Sequence, residues 1–222
     1  MASVTRSTGS RGDSRRAAVA ENLQRAMERL LEQGVSFTQI SVEQLAAEAG
    51  IARATFYLHF RDKGELVARL SASVTAEILE ASTLRSPETV TRSELKKSVR
   101  AVLAIYQRHH AVLAAMVETS AYDSAVAQLF KEMMDRLIEV NRRTLTRLKQ
   151  AGRPTSAHPA QLAEVITWAF ERSGHQLIHG RKPAQLNAVA EALTHVIWSS
   201  IYAPGLPSLA GPPRGTAAVT LK

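Results

Sequence analysis

Hydrogen-bond donors are concentrated in a short stretch near the amino end of the chain. This stretch contains Arg53, Thr55, Tyr57 and His59, and Lys63 follows it. A guanidinium pairs with a guanine edge or a phosphate, and hydroxyl, imidazole and ammonium groups donate to phosphate oxygens. These residue types therefore favour recognition of double-stranded DNA, chiefly through its phosphates. The other candidates for the same surface are Thr38, Ser41 and Ala54.

A turn between two short helices would position these donors. Ser41 and Gln44 have the spacing of a capping box, which predicts a helix over residues 42–49. Gly50 follows that helix, and glycine adopts the left-handed conformation of a helix end at little cost. The chain can then leave at a steep angle, so that a second helix, from Ala52 to about His59, lies across the first.

The second helix divides its side chains between two tasks. Ile51 and Phe56 can pack inward, while the donors point outward. Ala52 supplies no side-chain N-cap, which costs about 1 kcal/mol of helix stability. Asp62, with Glu65 three residues later, predicts the cap of a further helix. Spacing alone also allows a small three-helix packing unit whose polar faces are only solvated.

Two motifs in this region resemble the TetR family of one-component transcriptional repressors. They read Val42-x-x-Leu-Ala-x-x-Ala-Gly-Ile51 and Thr55-Phe-Tyr-x-His-Phe60-x-x-Lys63, after an amphipathic helix predicted from Arg16 to about Gln33. The family usually has a hydroxyl residue where Ala52 stands. The resemblance implies a helix-turn-helix DNA-binding domain and a homodimer on a palindromic operator. It also implies release of that DNA by a small-molecule effector.

Composition limits the class of protein. The chain has 222 residues, of which 45% are hydrophobic, no cysteine, and a formal net charge of +8. This is enough apolar sequence for a sizeable core without disulfides. Residues 1–15 contain no apolar run that would serve as a signal segment, so we expect a soluble cytoplasmic protein without membrane contact. The arginines of residues 6–16 lie on a Ser/Thr/Gly-rich arm that either follows DNA or is an idle tail.

The remaining sequence predicts an all-α protein of about nine helices, because apolar residues recur at three- and four-residue spacing. Helices are predicted over residues 62–84, 87–110, 111–119, 124–151, 159–179 and 183–202, with Ser86 and Pro87 at the start of the second of these. We predict four segments. They are a disordered basic arm (1–14), a helix-turn-helix domain (15–64), a ligand-binding and dimerisation domain (65–203) and a disordered tail (204–222).

Three of these helices carry mostly apolar side chains with a few polar ones among them. Such a set suits a chamber for a hydrophobic small molecule, which Asn141, Thr167 or Glu171 would orient. An ordinary closed core explains the same periodicity. The set comprises Val102, Tyr106, Phe130, Met133, Met134, Leu137, Asn141, Thr167, Trp168, Phe170 and Glu171.

Motifs in the carboxy-terminal half resemble the ethionamide-activation repressor branch of the TetR family. They include Leu129-Phe-x-x-x-Met-x-x-Leu137, Phe170-Glu-Arg172 and Trp198-x-Ser-Ile-Tyr202. The resemblance implies a long apolar tunnel in this half, although several aromatic positions of that branch are aliphatic here. The tunnel positions that it implies are Leu95, Val102, Tyr106, Phe130, Met134, Leu137, Asn141, Thr167, Phe170, Glu171 and Ile197.

The last two predicted helices are apolar on more than one face. One face can serve the core of the subunit, and the surplus is best buried against a two-fold mate in a four-helix contact. Two recognition helices about 34 Å apart would then fit successive major grooves. The candidates for this interface are Leu162, Val165, Ile166, Ala169, Leu193 and Ile201.

Candidate catalytic and metal-binding residues are few. His175 and His179 lie one helical turn apart, with Glu171 a turn before them, but neither a second acidic set nor a thiolate accompanies them. We therefore expect no metal and no other cofactor. The sequence contains no phosphate loop, nucleophile elbow or dinucleotide motif, which argues against an enzyme. Two alternatives to a ligand-released repressor remain: an all-α protein that binds apolar ligands without an operator, and an effector-independent DNA-binding regulator.

Overall fold

The structure is a computed structural model that describes residues 8–153, 156 and 158–202. Over those ranges the backbone forms nine α-helices and no β-strand, which confirms the predicted all-α fold. None of these helices combines the length and the apolar character that a membrane span requires. They are α1 (Thr8–Glu32), α2 (Val42–Glu48), α3 (Arg53–His59), α4 (Lys63–Ser82), α5 (Arg92–Arg108), α6 (His110–Ser120), α7 (Ser124–Gln150), α8 (Pro159–Leu177) and α9 (Pro183–Ile201).

The first three helices pack together in a unit that we call the reading head (residues 15–64). An apolar stripe of α1 lies against α2 and α3, as expected for an amphipathic helix at the surface of a small core. Large side chains at the centre of this core are almost completely buried. They are Leu23, Met27, Phe37, Leu45, Phe56 and Phe60.

Helix α4 connects the reading head to the rest of the chain. As predicted, Asp62 caps it, and the Asp62 carboxylate accepts the amide N–H of Glu65 at 2.8 Å. Buried side chains from Leu66 to Ile78 face α5, α6 and α7. At a rise of about 1.5 Å per residue, the 20 residues of α4 span roughly 30 Å. The helix therefore reaches from the reading head to the middle of the larger half.

Helices α5 to α9 form that larger half, which we call the body (residues 83–202). The core of the reading head continues into it through α4, α6 and α7. A second cluster of buried side chains lies where α5, α7, α8 and α9 meet, and it includes Leu95, Leu145 and Ile178. The body thus surrounds the far end of α4 on several sides.

The start of α1 differs from the prediction. The helix begins at Thr8 rather than at Arg16, so residues 8–14 of the predicted disordered arm are helical. Once a helix is nucleated, each further residue adds a hydrogen bond at small cost, which explains how a polar segment without proline extends it. Residues 1–7 of the predicted arm, and the predicted tail over residues 204–222, lie outside the described residues.

The start of α5 also differs from the prediction. The helix begins at Arg92, with Thr91 as its N-cap, rather than at Pro87. The segment around Pro87 forms a turn, in which Arg147 of α7 donates to the Glu88 carboxylate at 2.6 and 3.0 Å. Thr91 and Glu94 form a capping box at the observed start, a local signal that sequence reasoning overlooked.

Candidate DNA-binding surface and ligand chamber

The turn between α2 and α3 has the geometry that its sequence predicts. The Ser41 hydroxyl accepts the Gln44 amide N–H at 3.1 Å, and the Gln44 side chain accepts the Ser41 amide N–H at 2.8 Å, which completes the capping box. Gly50 has a φ of 68°, a left-handed conformation that residues with a Cβ rarely adopt. Helix α3 follows Ala52, which makes no side-chain cap. These features fix α3 at the surface of the reading head.

One face of α3 is open to solvent. The side chains on this face are Arg53, Ala54, Tyr57 and Leu58. Tyr57 is 47% exposed and Leu58 is 80% exposed, whereas the predicted contacts Thr55 and His59 are half-buried at its edge. Sequence reasoning missed Leu58, because leucine in a helix usually belongs to a core. The signal available was its position two residues after the inward-facing Phe56, which turns it away from the core.

Two neighbours hold the Arg53 side chain in place. Its Nε lies 2.8 Å from Oε1 of Glu43 on α2, and its guanidinium carbon lies 5.5 Å from the ring centroid of Tyr57. The side chains of Arg53 and Glu43 are 61% and 53% exposed, and an exposed ion pair of this kind contributes only about 0–1 kcal/mol. A phosphate or a base edge can therefore replace Glu43 at small cost.

The structure corrects the prediction for Lys63, which was expected beside the DNA backbone. Its ammonium group donates to the carbonyl oxygens of Phe37 at 2.9 Å, Thr38 at 3.3 Å and Ile40 at 2.5 Å. An ammonium has three N–H donors, so all are used within the protein. Burial lowers the pKa of Lys63. Lys63 thus fixes the connection between α1 and α2, which folds over the start of α4.

Thr38 and Ser41 lie exposed on that same connection. The Thr38 hydroxyl lies 2.9 Å from the hydroxyl of Ser36, and the Thr38 amide N–H donates to the Glu118 carboxylate at 3.1 Å. Glu118 belongs to α6. The reading head is therefore tied to the body by this hydrogen bond as well as by the continuous helix α4.

The body contains a cavity of about 80 Å³ between α4, α5, α7, α8 and α9, which we call the chamber. The predicted tunnel residues that line it are Leu95, Val102, Tyr106, Leu137, Asn141, Thr167, Phe170, Glu171 and Ile197. Residues that line it without having been predicted are Ile78, Ser82, Leu84, Ser98, Val99, Thr144, Ile166, Ile201 and Tyr202. The contribution of α4 was missed because its chamber-facing residues follow the same periodicity as its core residues.

The size of the chamber limits what it holds in this conformation. A single water needs about 10–15 Å³, and an engineered cavity of about 150 Å³ holds benzene. The chamber, at about 80 Å³, lies between these values. A ligand of the size of benzene or larger must therefore move at least one wall.

Phe130 and Met134 were predicted to line the chamber, and the prediction was wrong. Met134 is 2% exposed and packs in the core that joins α4, α6 and α7, as does Met133. The half-buried ring of Phe130 lies edge-on to Trp168, with 6.1 Å between centroids, and Trp168 itself is 43% exposed. Helical periodicity identified inward-facing positions on α7 but did not reveal which neighbouring helix each one meets.

Close packing of α8 against Tyr106 forms one wall of the chamber. A Cβ at Gly174 would lie 2.6 Å from Cδ1 of Tyr106, so only glycine allows this approach. The Tyr106 ring also lies edge-on to Phe170, with 6.3 Å between centroids. Burial raises the pKa of Tyr106, so its hydroxyl is neutral in the physiological range.

Two polar side chains of the chamber are bonded to each other. Asn141 Nδ2 donates to the Thr167 hydroxyl at 2.9 Å, and that hydroxyl donates to the Ala163 carbonyl at 2.7 Å. One N–H of Asn141 and the hydroxyl of Thr167 are therefore used to hold α7 against α8. The amide oxygen of Asn141 takes no part in these two hydrogen bonds and can act as an acceptor.

Two other polar side chains of the chamber carry an oxygen without a hydrogen-bond partner among the described residues. They are Glu171, through Oε2, and Tyr202, through its hydroxyl. Glu171 is 3% exposed, and burial raises its pKa, an effect that Arg172 only partly offsets. Burial likewise raises the pKa of Tyr202 to about 12.

An apolar surface on α8 and α9 is exposed in the single chain. This outer strip comprises Val165, Trp168, Ala169, Leu177 and Val196. Of the predicted interface residues, Val165 and Ala169 lie on the strip, and Leu162 and Leu193 are half-buried. Ile166 and Ile201 are 6% and 5% exposed and line the chamber, so the prediction for these two positions was wrong. Adjacent residues of a helix face directions about 100° apart, so Val165 and Ile166 cannot share one surface.

Three histidines lie close together where α6 meets α8. The ring centroid of His110 is 3.9 Å from that of His179 and 6.4 Å from that of His175. Burial, and to a smaller extent the two neighbouring imidazoles, lower the pKa of His110 to about 4. Within the described ranges, no group of three or more His, Cys, Asp or Glu side chains is arranged to hold a metal ion.

Sequence comparisons match both halves of the chain to known regulators. Residues 23–70 match the family described as bacterial regulatory proteins, tetR family, and residues 95–203 match the family described as transcriptional regulator EthR, C-terminal domain. The HTH-type transcriptional regulator EthR of Mycobacterium tuberculosis is 27% identical over 196 residues, covering 86% of this chain and 88% of that protein. The EthR of Mycolicibacterium smegmatis is 25% identical over 201 residues, covering 89% and 90%. Both resemblances inferred from the motifs are confirmed.

Solved structures share the fold. A bacterial regulatory protein of the tetR family from Rhodococcus RHA1 superposes with a TM-score of 0.65 at 14% identity, covering 82% of this chain and 96% of that one. The TetR family transcriptional regulator PfmR from Thermus thermophilus superposes with a TM-score of 0.61 at 19% identity, covering 80% and 93%. At these identities the likeness concerns the arrangement of helices alone.

Proposed function

This chain belongs to the TetR family of transcriptional regulators, and from that premise we propose that it binds a palindromic DNA operator as a homodimer and releases it when a hydrophobic small molecule occupies the chamber. The family is one of regulators rather than enzymes. The exposed face of α3 carries this proposal, because the Arg53 guanidinium lies there over the ring of the exposed Tyr57. We assign DNA binding to residues 15–64 and ligand binding and dimerisation to residues 65–203. We assign the protein to the cytoplasm, together with its DNA.

Recognition of the operator rests on the side chains of α3. In a helix-turn-helix protein, the first residues of the recognition helix contact base edges in the major groove. Arg53 holds that position and pairs with a guanine or a phosphate, while the small Ala54 permits close approach. Tyr57 donates to a phosphate, and Leu58 suits the methyl group of a thymine. Thr38, Ser41, Thr55 and His59 border this face, and we keep them as proposed phosphate contacts.

Dimerisation rests on the outer strip of α8 and α9. Exposed apolar side chains on two neighbouring helices are well explained by a partner that covers them. Pairing with the same strip of a second copy forms a four-helix contact with two-fold symmetry. Trp168 is 43% exposed, and tryptophan is among the residues that contribute most to interfaces. The dimer then holds two reading heads about 34 Å apart, on one side of a duplex.

Release by an effector rests on α4. Ile78 and Ser82, near its end, line the chamber, while Lys63, at its start, holds the α1–α2 connection. A ligand that widens the chamber displaces α4, because a close-packed interior cannot deform locally without moving an element. The displaced helix changes the spacing of the two heads. The ligand therefore lowers operator affinity, and the operator lowers ligand affinity by the same factor.

Selection of bound fragments from random DNA tests the operator half of this proposal. The wild-type protein should select a palindrome whose half-sites lie about 10 base pairs apart. Arg53→Ala should weaken binding to that site about tenfold or more and relax preference at one base position. Arg100→Ala, which changes an exposed arginine of α5, is the matched control and should bind normally. A selection that returns no common sequence would exclude an operator.

Band shifts on the selected site, with and without lipophilic compounds, test the effector half. Compounds that enter the chamber should change the fluorescence of Trp198, whose ring stacks on Tyr202 at 5.0 Å between centroids. The same compounds should lower operator affinity. Compounds that change the fluorescence but leave the band shift unaltered would exclude effector release and leave DNA binding intact.

A further inference from the structure

The Glu171 carboxylate is buried in the chamber without a donor. It is 3% exposed, and its Oε2 has no hydrogen-bond partner among the described residues. Nε of Arg172 approaches Oε2 only to 4.0 Å, beyond hydrogen-bonding distance, and the Arg172 side chain is 55% exposed. A buried charged group is costly unless it is paired and hydrogen-bonded. The chain therefore keeps an acceptor in its interior that its own residues do not satisfy.

The rest of the chamber supplies no cation to this carboxylate. Within the part of the chain that the structure describes, the lining contains neither Lys, Arg nor His. One N–H of the Asn141 amide and the hydroxyl of Thr167 donate elsewhere. Most other lining side chains are hydrocarbon or aromatic. The chamber thus combines mostly apolar walls with two groups that lack a hydrogen-bond partner among the described residues, the Glu171 carboxylate and the Tyr202 hydroxyl.

We propose that the chamber is specific for a cationic amphiphile, an apolar molecule whose protonated amine donates a hydrogen bond to Glu171. This inference rests on the proposed ligand-binding function of the chamber and names the chemical class of its ligand. An ammonium group supplies the missing donor and the missing charge, and hydrogen bonds between charged groups are about twice as strong as neutral ones. An anionic ligand, such as an alkyl carboxylate, would place like charges side by side.

Binding of a cation would also change the charge state of Glu171. Burial raises its pKa, and the opposing effects of Arg172 and His175 are smaller. Tyr106, which faces Glu171 from α5, is neutral because burial raises its pKa. A bound ammonium would return the pKa of Glu171 toward its ordinary range, because a nearby cation favours the ionised carboxylate.

Three eight-carbon compounds that differ in their polar group test the proposal. They are n-octylamine, which is protonated at pH 7.5, 2-octanone, which only accepts hydrogen bonds, and octanoate, which is an anion. Isothermal titration of the full-length wild-type protein should give at least tenfold tighter binding for octylamine than for 2-octanone. Octanoate should bind most weakly. A ketone or an octanoate that binds as tightly as the amine would overturn the proposal, as would the absence of binding by all three.

Glu171→Gln keeps the size of the side chain and removes its charge. It should weaken octylamine binding tenfold or more while changing 2-octanone binding less than threefold. Glu164→Gln, which changes an exposed carboxylate of the same helix, is the matched control and should match the wild type. Unchanged octylamine affinity in Glu171→Gln would contradict the assignment.

A pH titration of octylamine binding to the wild-type protein gives a readout that needs no variant at position 171. The amine stays protonated between pH 5 and 8, so its affinity should fall as the pH falls through the raised pKa of Glu171. His175→Gln should keep this fall, which separates the carboxylate from the neighbouring imidazole. A flat profile would overturn the proposal.

Band shifts with the same compounds separate this inference from the proposed function. Glu171-dependent binding of octylamine without loss of operator affinity would exclude effector release but leave the ligand class standing. Release of the operator by neutral or anionic compounds, with no preference for the amine, would exclude the cationic ligand class but leave effector release standing.

Discussion

The reading head and the body differ in what their own residues leave unsatisfied. In the reading head, the buried side-chain atom without a hydrogen-bond partner among the described residues is Nε of Arg16, whose guanidinium already pairs with Glu65. In the reading head, Lys63 meets three loop carbonyls, Ser41 and Asp62 cap their helices, and the central aromatic side chains are almost wholly buried. In the body, the side chains enclose a chamber of about 80 Å³, Glu171 and Tyr202 carry oxygens without partners among the described residues, and the outer strip is exposed.

This difference corresponds to the kind of partner that each half requires. A duplex presents a fixed groove, so a preset surface binds it with the smallest loss of conformational entropy. A small molecule and a second subunit must supply contacts that the single chain lacks. The body therefore leaves volume, a carboxylate and an apolar surface for them, at the expense of its own stability.

Truncation of one phenylalanine in each half tests the difference in packing. Phe56→Ala should lower the free energy of unfolding by about 4 kcal/mol, because its fully buried ring leaves a closed cavity. Phe170→Ala should cost about 2 kcal/mol, because its half-buried ring already borders the chamber. Urea unfolding measures both values. A larger loss for Phe170→Ala than for Phe56→Ala would show that the body is the better packed half.

A charge on the outer strip tests whether the body needs a second copy. Val165→Asp should raise the dimer dissociation constant by about 100-fold, roughly 3 kcal/mol, because an unpaired carboxylate would be buried in the apolar contact. Ala101→Asp changes an exposed residue of α5 and should have no such effect. Light scattering at micromolar concentration distinguishes the two forms. A dimer that survives Val165→Asp would have its interface elsewhere.

Removal of the Lys63 ammonium tests whether the reading head is held by its own contacts. Lys63→Met should lower the free energy of unfolding by about 2 kcal/mol, because the carbonyl oxygens of the α1–α2 connection lose a charged donor. Lys97→Met, at an exposed position of α5, should change it by no more than about 0.5 kcal/mol. If Lys63→Met were as stable as the wild type but failed to bind DNA, the result would support the phosphate contact that the sequence predicts for this residue.

The pH dependence of stability tests the unsatisfied carboxylate of the body, with the smallest expected effect. The pKa of Glu171 is raised above its ordinary value of 4.5 by burial. Its contribution to stability is therefore complete below about pH 4.5 and is lost as the pH rises through the raised value. Glu171→Gln should then be about 1 kcal/mol more stable than the wild type at pH 8 but not at pH 4.5. An advantage that stays constant with pH would argue against an ionised buried carboxylate.

Features that depend on a few neighbouring residues were predicted accurately. The capping box of Ser41, the left-handed Gly50 and the missing cap at Ala52 all appear as expected. Nine of the eleven predicted tunnel positions border the chamber, whereas Phe130 and Met134 face a different part of the core. Helical periodicity predicts that a side chain of α7 points inward. It does not predict which neighbouring helix that side chain meets, and α7 packs against α4, α6 and α8.

The sequence by itself determined the helices, the turn between α2 and α3 and the chemical character of α3. These depend on hydrogen bonds and backbone preferences within about four residues, which a local pattern contains. Only the tertiary structure decided that Lys63 holds a loop, that Ile166 faces the chamber rather than a partner, and that Glu171 lacks a donor among the described residues. Each of these depends on residues brought together from distant parts of the chain, and the spacing of residues along a sequence does not specify which of them meet.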